Sequence, residues 1–138
     1  MKIKKDGGFT MMEMIIVLAI IAVIGAIILP NLVGATDKAR VKSDVESARV
    51  ITNAIDLYNA ENATPLDSDP KVMIQELNDG GYLKNTSQIP QTPKAEWYYN
   101  SAADIFQLNI TISGVSDSIK KIYDSLSDQD KAYVKSTP

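Results

Sequence analysis

Few residues in this chain are equipped for chemistry, and one of them is in an unexpected place. Glu13 stands five positions after Gly8 in GGFTMMEMIIVLAIIAVIGAIILPNLVGA, with apolar side chains continuing directly behind it. Histidine and cysteine are both absent. Their absence removes the commonest general base and metal ligand, along with thiol nucleophiles, disulfides and thiolate metal sites. No convergent pair of acids takes their place, so the composition argues against an enzyme. What Glu13 can do is carry charge. An acid in a membrane helix costs up to roughly 2.5–3.5 kcal/mol at the centre and less near an end, so by default it is functional and needs a partner.

The elements around Glu13 define its setting. Lys2, Lys4 and Lys5 precede the apolar run, and positive charge on that flank keeps it in the cytoplasm. The segment from Phe9 onward then enters the bilayer and the C-terminus lies outside. Residues 14–29 carry no polar side chain. As a helix, residues 9–33 span about 37 Å, enough to cross a hydrocarbon core of ~30 Å. A secretory signal cleaved after Val33-Gly34-Ala35 fits the small-x-small pattern, but the run exceeds the usual ~7–15 apolar residues. A plain signal anchor accounts for length and charge and leaves Glu13 unexplained.

Gly8-Phe9-Thr10-Met11-Met12-Glu13 followed by an apolar helix resembles the class III signal of type IV pilins and the related type II secretion pseudopilins. The segment PNLVGATDKARVKSD behind it also looks like these proteins. The resemblance implies that a membrane peptidase and methyltransferase cuts between Gly8 and Phe9 and methylates the new N-terminus at Phe9. Glu13 becomes the fifth residue of the processed chain. It implies, too, the missing partner: the amine of Phe9 on a neighbouring subunit, since neither charge is tolerable unpaired in an apolar layer. The expected division is a leader at 1–8, a transmembrane and polymerisation helix at 9–35, and a globular domain at 36–138. That globular domain includes an amphipathic helix half reaching about residue 62.

Along the amphipathic half, Val41, Val45, Ala48, Ile51, Ile55 and Tyr58 recur by threes and fours, the stripe of a helix with one buried face. The reading is therefore one nearly continuous helix from Phe9 to about Asn62, some 80 Å long. Pro30 removes a backbone donor and crowds the Ala26 carbonyl, while Gly25 and Gly34 lower helix propensity. The helix is expected to bend between Gly25 and Gly34, or to melt there when subunits pack. The charges Lys38, Arg40, Lys42, Asp44, Glu46 and Arg49 read as a solvated face, with pairs Arg40–Asp44 and Lys42–Glu46 at four-residue spacing.

Asp69-Pro70 reads as an N-cap followed by proline at the first helical position, opening a short helix to about Asn78. Met73, Ile74 and Leu77 face inward and Gly80-Gly81 ends the helix, after which Tyr82-Leu83 returns to the long helix. The Asp67-Ser68-Asp69 triplet lacks the acidic spacing of a calcium loop. Residues 96–99 and 105–113 read as strands of a hairpin turning at 100–104, with Phe106, Leu108, Ile110 and Ile112 on one face. From Val115 the pattern is helical, with Ile119, Ile122, Tyr123 and Leu126 on one side. Ser127 then opens a further capped helix over 131–135. Three tripeptides, at Asn62, Asn85 and Asn109, fit the N-glycosylation pattern, which arises easily by chance.

The expected fold is α+β and pilin-like: a long helix, transmembrane then amphipathic, packed on a small antiparallel hairpin with short helices. The expected function is a structural subunit polymerising into a type IV pilus filament. A type II secretion or competence pseudopilin is the alternative, and a secreted binding domain a remoter one. The tail lacks the cysteine pair that many Gram-negative pilins carry, which favours pseudopilins or the cysteine-free pilins of Gram-positive bacteria. No cofactor or metal is implied. The net charge of −3 argues against a nucleic-acid surface. Implied partners are further copies of the chain, the processing peptidase, an assembly ATPase, inner-membrane platform proteins and the membrane. The chain would begin as a single-pass membrane protein with a cytoplasmic N-terminus and end in a surface filament.

Overall fold

The computed structural model describes residues 9–84, 89–111, 113 and 115–137. The leader 1–8 with Gly8, the sequon at Asn85 and the strand position Ile112 lie outside the described residues. The chain divides into two compact units, Met1–Ala35 and Thr36–Pro138.

Helix α1 runs from Met11 to Glu61 and belongs to both units. Its first part is long and apolar enough to cross a membrane, with none of that window buried against the rest of the protein. Helical backbone continues through Gly25, Pro30 and Gly34. In the second unit the predicted stripe is the buried face: Val41, Val45, Ala48, Ile51 and Ile55 are all inside, with Tyr58 partly buried at the edge.

Helix α2, Pro70–Asp79, starts as the residues dictate. The Asp69 carboxylate accepts a hydrogen bond from the Lys71 N–H, and Pro70 occupies the first turn where its missing N–H is harmless. Met73, Ile74 and Leu77 are buried. Gly81 takes a left-handed backbone, φ 79°, that releases the chain from the helix. Tyr82 then packs edge-on against Tyr58, and its hydroxyl donates to Glu61 and accepts from Asn62, both at 2.9 Å.

Strands β1, Ala95–Asn100, and β2, Ile105–Thr111, form the predicted antiparallel hairpin in a register that sets Trp97 opposite Leu108. Trp97, Phe106, Leu108 and Ile110 join the same buried cluster as the α1 stripe. A buried threonine ties helix to sheet: Thr52 Oγ1 donates to the Ala48 carbonyl and accepts from the Phe106 N–H at 3.0 Å.

After Thr111 the chain forms α3, Asp117–Asp124, and α4, Asp128–Lys131, before a third strand, β3, Val134–Thr137. Two expectations are corrected here. The helix expected over 131–135 stops at Lys131, and the sheet is mixed, because β3 pairs in parallel with β2, Leu108 opposite Val134. Parallel strands need a crossover of a dozen or more residues, and α3 with α4 supplies it. The helical pattern after Val115 is α3, in which Ile119 and Ile122 are buried, as is Leu126 just behind it. A strand of four residues with one apolar side chain, Val134, has no periodicity to announce it.

The charged face of α1 also requires correction. Asp44 is 2 % exposed and, among the described residues, forms no ion pair with an arginine or lysine. Its carboxylate accepts from the Gln91 N–H at 2.9 Å, the Thr92 N–H at 2.7 Å and the Thr92 hydroxyl at 2.5 Å. A carboxylate accepting three donors can be buried without a countercharge. It fastens the stretch before β1 onto the helix. Arg40 instead lies 3.8 Å from Asp37, one turn earlier, and Arg49 reaches Asp130 of α4 at 3.0 Å.

Replacing Asp44 with alanine leaves three donors around Thr92 without their acceptor. We expect it to destabilise the fold by about 3 kcal/mol, read from urea unfolding of the detergent-solubilised chain. A loss within about 0.5 kcal/mol, usual for an exposed surface substitution, would contradict the clamp.

Candidate processing and assembly site

The site begins with Phe9, the first residue described, which is 80 % exposed. Gly8, its partner in the expected cleavage, lies outside the described residues. Thr10 and Glu13 close the first turn of α1 around each other. The Thr10 N–H donates to Glu13 Oε2 at 2.7 Å and the Thr10 hydroxyl to the same oxygen at 3.0 Å. In return the Glu13 N–H donates to Thr10 Oγ1 at 3.2 Å. This is a reciprocal capping box, which satisfies donors that a helix start otherwise leaves unpaired.

Sequence reasoning singled out Glu13 and missed Thr10 as its partner, although the signal was present. A threonine three residues ahead of a glutamate before an apolar run is the capping-box spacing. The consequence is chemical. Within one chain Glu13 already has two donors, so its carboxylate is oriented at the very start of the helix. Neither donor carries a charge, so the carboxylate's negative charge remains uncompensated by them.

Around this pair the surface is apolar. Met11, Met12, Met14, Ile15 and Ile16 are all more than half exposed, and so are most side chains through Leu32 whose exposure is described. An apolar surface this extended needs lipid or other helices to cover it. The other sequence-predicted positions, Gly25, Pro30 and Gly34, lie farther along the same helix. A Cβ added at Gly25 or Gly34 would meet nothing within 4 Å, so neither glycine is demanded by contacts inside the chain.

The globular unit carries no comparable constellation. Among the described residues no group of three or more histidine, cysteine or acidic side chains is placed to hold a metal ion. Asp67 and Asp69 are engaged in backbone bonds, Asp67 Oδ1 with the Asp69 N–H at 2.7 Å and Asp69 Oδ1 with the Lys71 N–H at 2.8 Å. At the hairpin turn Asp104 adopts φ 54° and binds the Tyr99 hydroxyl and the Asn59 amide, which fixes the turn to the end of α1. Burial, followed by the hydrogen bond and negative charge of Asp104, pushes the Tyr99 phenol up to about 12. On the outer face of the sheet the Lys135 ammonium sits 3.6 Å from the centre of the Tyr98 ring.

A family model described as the prokaryotic N-terminal methylation motif matches residues 3–29. Among curated proteins, the type II secretion system core protein G of Vibrio cholerae is 27 % identical over 118 residues, covering 75 % of this chain and 76 % of that one. The same protein of Aeromonas hydrophila is 28 % identical over 104 residues, 67 % of this chain and 71 % of its own length. The prepilin peptidase-dependent protein A of Clostridium perfringens is 39 % identical over 62 residues, 45 % and 44 % of the two chains. No solved structure matches.

Because the Tyr99 phenol is held above its ordinary value of 10.0, the bond to Asp104 supports the fold fully below pH ~10. That support is lost as the pH rises towards 12. In an alkaline titration followed by tyrosinate absorbance, a phenol fraction ionising near pH 12 is expected in the wild type and absent from Tyr99→Phe.

Proposed function

The chain belongs to the family of type IV pilins and type II secretion pseudopilins, and from that premise we propose that it is a pseudopilin. In this reading it is a structural subunit that polymerises into a short filament serving protein secretion. The observation that carries the proposal is the reach of the likeness to the core protein G sequences. Pilins and pseudopilins share the N-terminal signal, so that signal alone cannot choose between them. The Vibrio cholerae match covers three-quarters of each chain and so extends into the globular unit. The Clostridium perfringens match covers less than half of each. A type IV pilus filament becomes the second reading.

The steps follow from the residues. The three lysines of the leader hold the N-terminus in the cytoplasm while the apolar part of α1 lies in the bilayer. A membrane peptidase cuts between Gly8 and Phe9 and the new amine is methylated. Cleavage creates a cation at Phe9, four residues ahead of Glu13. As subunits leave the membrane, drawn by an ATPase and a platform, their apolar helix halves bundle. Glu13 then exchanges the uncharged Thr10 donors for the Phe9 ammonium of a neighbour, an ion pair far stronger among apolar side chains than in water. Burial of the apolar surface holds the filament together, and the ion pair sets the register of one subunit on the next. The segment between Gly25 and Gly34, weakened by Pro30, takes up the bend or local melting that packing demands. The globular unit, Thr36–Pro138, ends up on the outside of the filament.

Glu13→Ala separates these roles. The variant is expected to insert and to lose its leader normally, while filament yield, measured by shearing and immunoblotting, falls at least roughly tenfold. That loss corresponds to about 1.4 kcal/mol of joint free energy. Wild-type filament yield from Glu13→Ala would contradict the assembly role of the acid.

A further inference from the structure

The cations just beyond the apolar span have no task in the assembly scheme. Lys38, Arg40 and Lys42 follow its expected end at Val33 by five to nine residues, and all three are exposed. Topology does not call for them, because positive residues set orientation from the cytoplasmic flank, where the leader already supplies three lysines. The two acids of the same stretch are turned inward. Asp37 is 7 % exposed and lies 3.8 Å from Arg40. Asp44 is taken up by the Gln91 and Thr92 donors. Glu46, one turn beyond Lys42, lies 3.9 Å from Arg49 instead. Among the described residues Lys38 and Lys42 therefore form no ion pair.

Geometry turns these two lysines towards the membrane. They are four residues apart on α1 and share one face. In an α-helix each Cα–Cβ bond leans towards the helix N-terminus, here the end placed in the bilayer. Along helical backbone five to nine residues advance about 8–14 Å, and the headgroup layer outside the hydrocarbon core is itself ~5–7 Å deep. The flexible four-carbon stem of lysine carries its ammonium back across the remaining gap.

We infer that Lys38 and Lys42 form a collar that binds the phosphates of anionic phospholipids and sets the depth of the unassembled subunit; this rests on the membrane placement proposed above. An ammonium is a compact point charge that meets a phosphate in many orientations, so the collar selects for charge and not for one headgroup. Arg40 stays with Asp37 and adds little. Drawing the subunit out of the membrane breaks these contacts, so the collar holds a waiting subunit in place until it is extracted.

The test uses the full chain in lipid nanodiscs, where both faces of the bilayer are open to reagent. Lysines are briefly acetylated and each site is quantified by mass spectrometry. One preparation holds phosphatidylcholine alone, and the other mixes in phosphatidylglycerol. Attraction to an anionic surface favours each bound lysine about fivefold, so acetylation of Lys38 and Lys42 is expected to slow roughly fivefold in the mixed bilayer. Lys120 and Lys121, exposed on α3, should keep their rates. The double variant Lys38→Gln, Lys42→Gln, which removes no ion pair described in the fold, should retain less phosphatidylglycerol per chain in native mass spectra than the wild type. Unchanged acetylation of Lys38 and Lys42 overturns the inference, as does equal slowing at Lys120 and Lys121 or equal lipid retention by the variant. Inorganic phosphate added to the neutral nanodiscs should have no effect; protection by it assigns the pair to a free anion and overturns the lipid. Protection in neutral bilayers that grows with chain density assigns the pair to acids of a neighbouring copy and overturns it too. A chain that co-elutes with neither kind of nanodisc lacks the membrane placement itself, a failure seen before any labelling.

Discussion

A carboxylate held among apolar side chains must meet a cation or give up its charge, and the design of this chain follows from that constraint. The first part of α1 is apolar enough to cross a membrane and yet carries Glu13 in its first turn. Among the described residues the acid is held by Thr10, through two donors that carry no charge. Such an arrangement is tolerable near an interface and poor in a dry bundle of helices. In the proposed reading, the cation that resolves it is the amine that processing would create at Phe9 of a neighbouring subunit. In that reading, processing, membrane insertion and assembly share one short segment, because each would produce or remove the charge imbalance on which the next depends.

The globular unit solves a different problem with similar means. Residues 36–61 of α1 contribute one buried stripe, and the mixed sheet and α2 and α3 complete the core around it. Loops are tied to α1 by single polar side chains aimed at backbone or at one another. Asp44 holds Gln91 and Thr92, Thr52 holds the start of β2, Arg49 holds Asp130, and Asn59 holds Asp104. Each is a polar group on the helix whose partner lies far away in sequence. With no disulfide available in the chain, these ties do the work of locating the loops.

What the residues announced in advance was whatever depends on local pattern. The capped start of α2 at Asp69-Pro70, the stripe from Val41 to Tyr58 and the alternation of Phe106, Leu108 and Ile110 were all legible, because periodicity and capping are local physics. What escaped was set by distant partners. Asp44 looked like any charge on a helix face until the chain beyond Pro90 folded back onto it. Strand β3 has one apolar residue, Val134, and exists because β2 offers an open edge. Thr10 is the instructive exception: its capping-box spacing to Glu13 is a local signal, while the charge of Glu13 points to a partner in another molecule. The choice between pilus and pseudopilus lay beyond the N-terminal signal altogether, since both kinds of filament share it.

The central claim is that this chain is processed to expose an amine opposite Glu13, and the mass of its mature N-terminal peptide tests that claim most directly. The account predicts a peptide beginning at Phe9 and heavier by one methyl group, ~14 Da. A chain that starts at Thr36, or one that retains Met1 to Gly8, would contradict it.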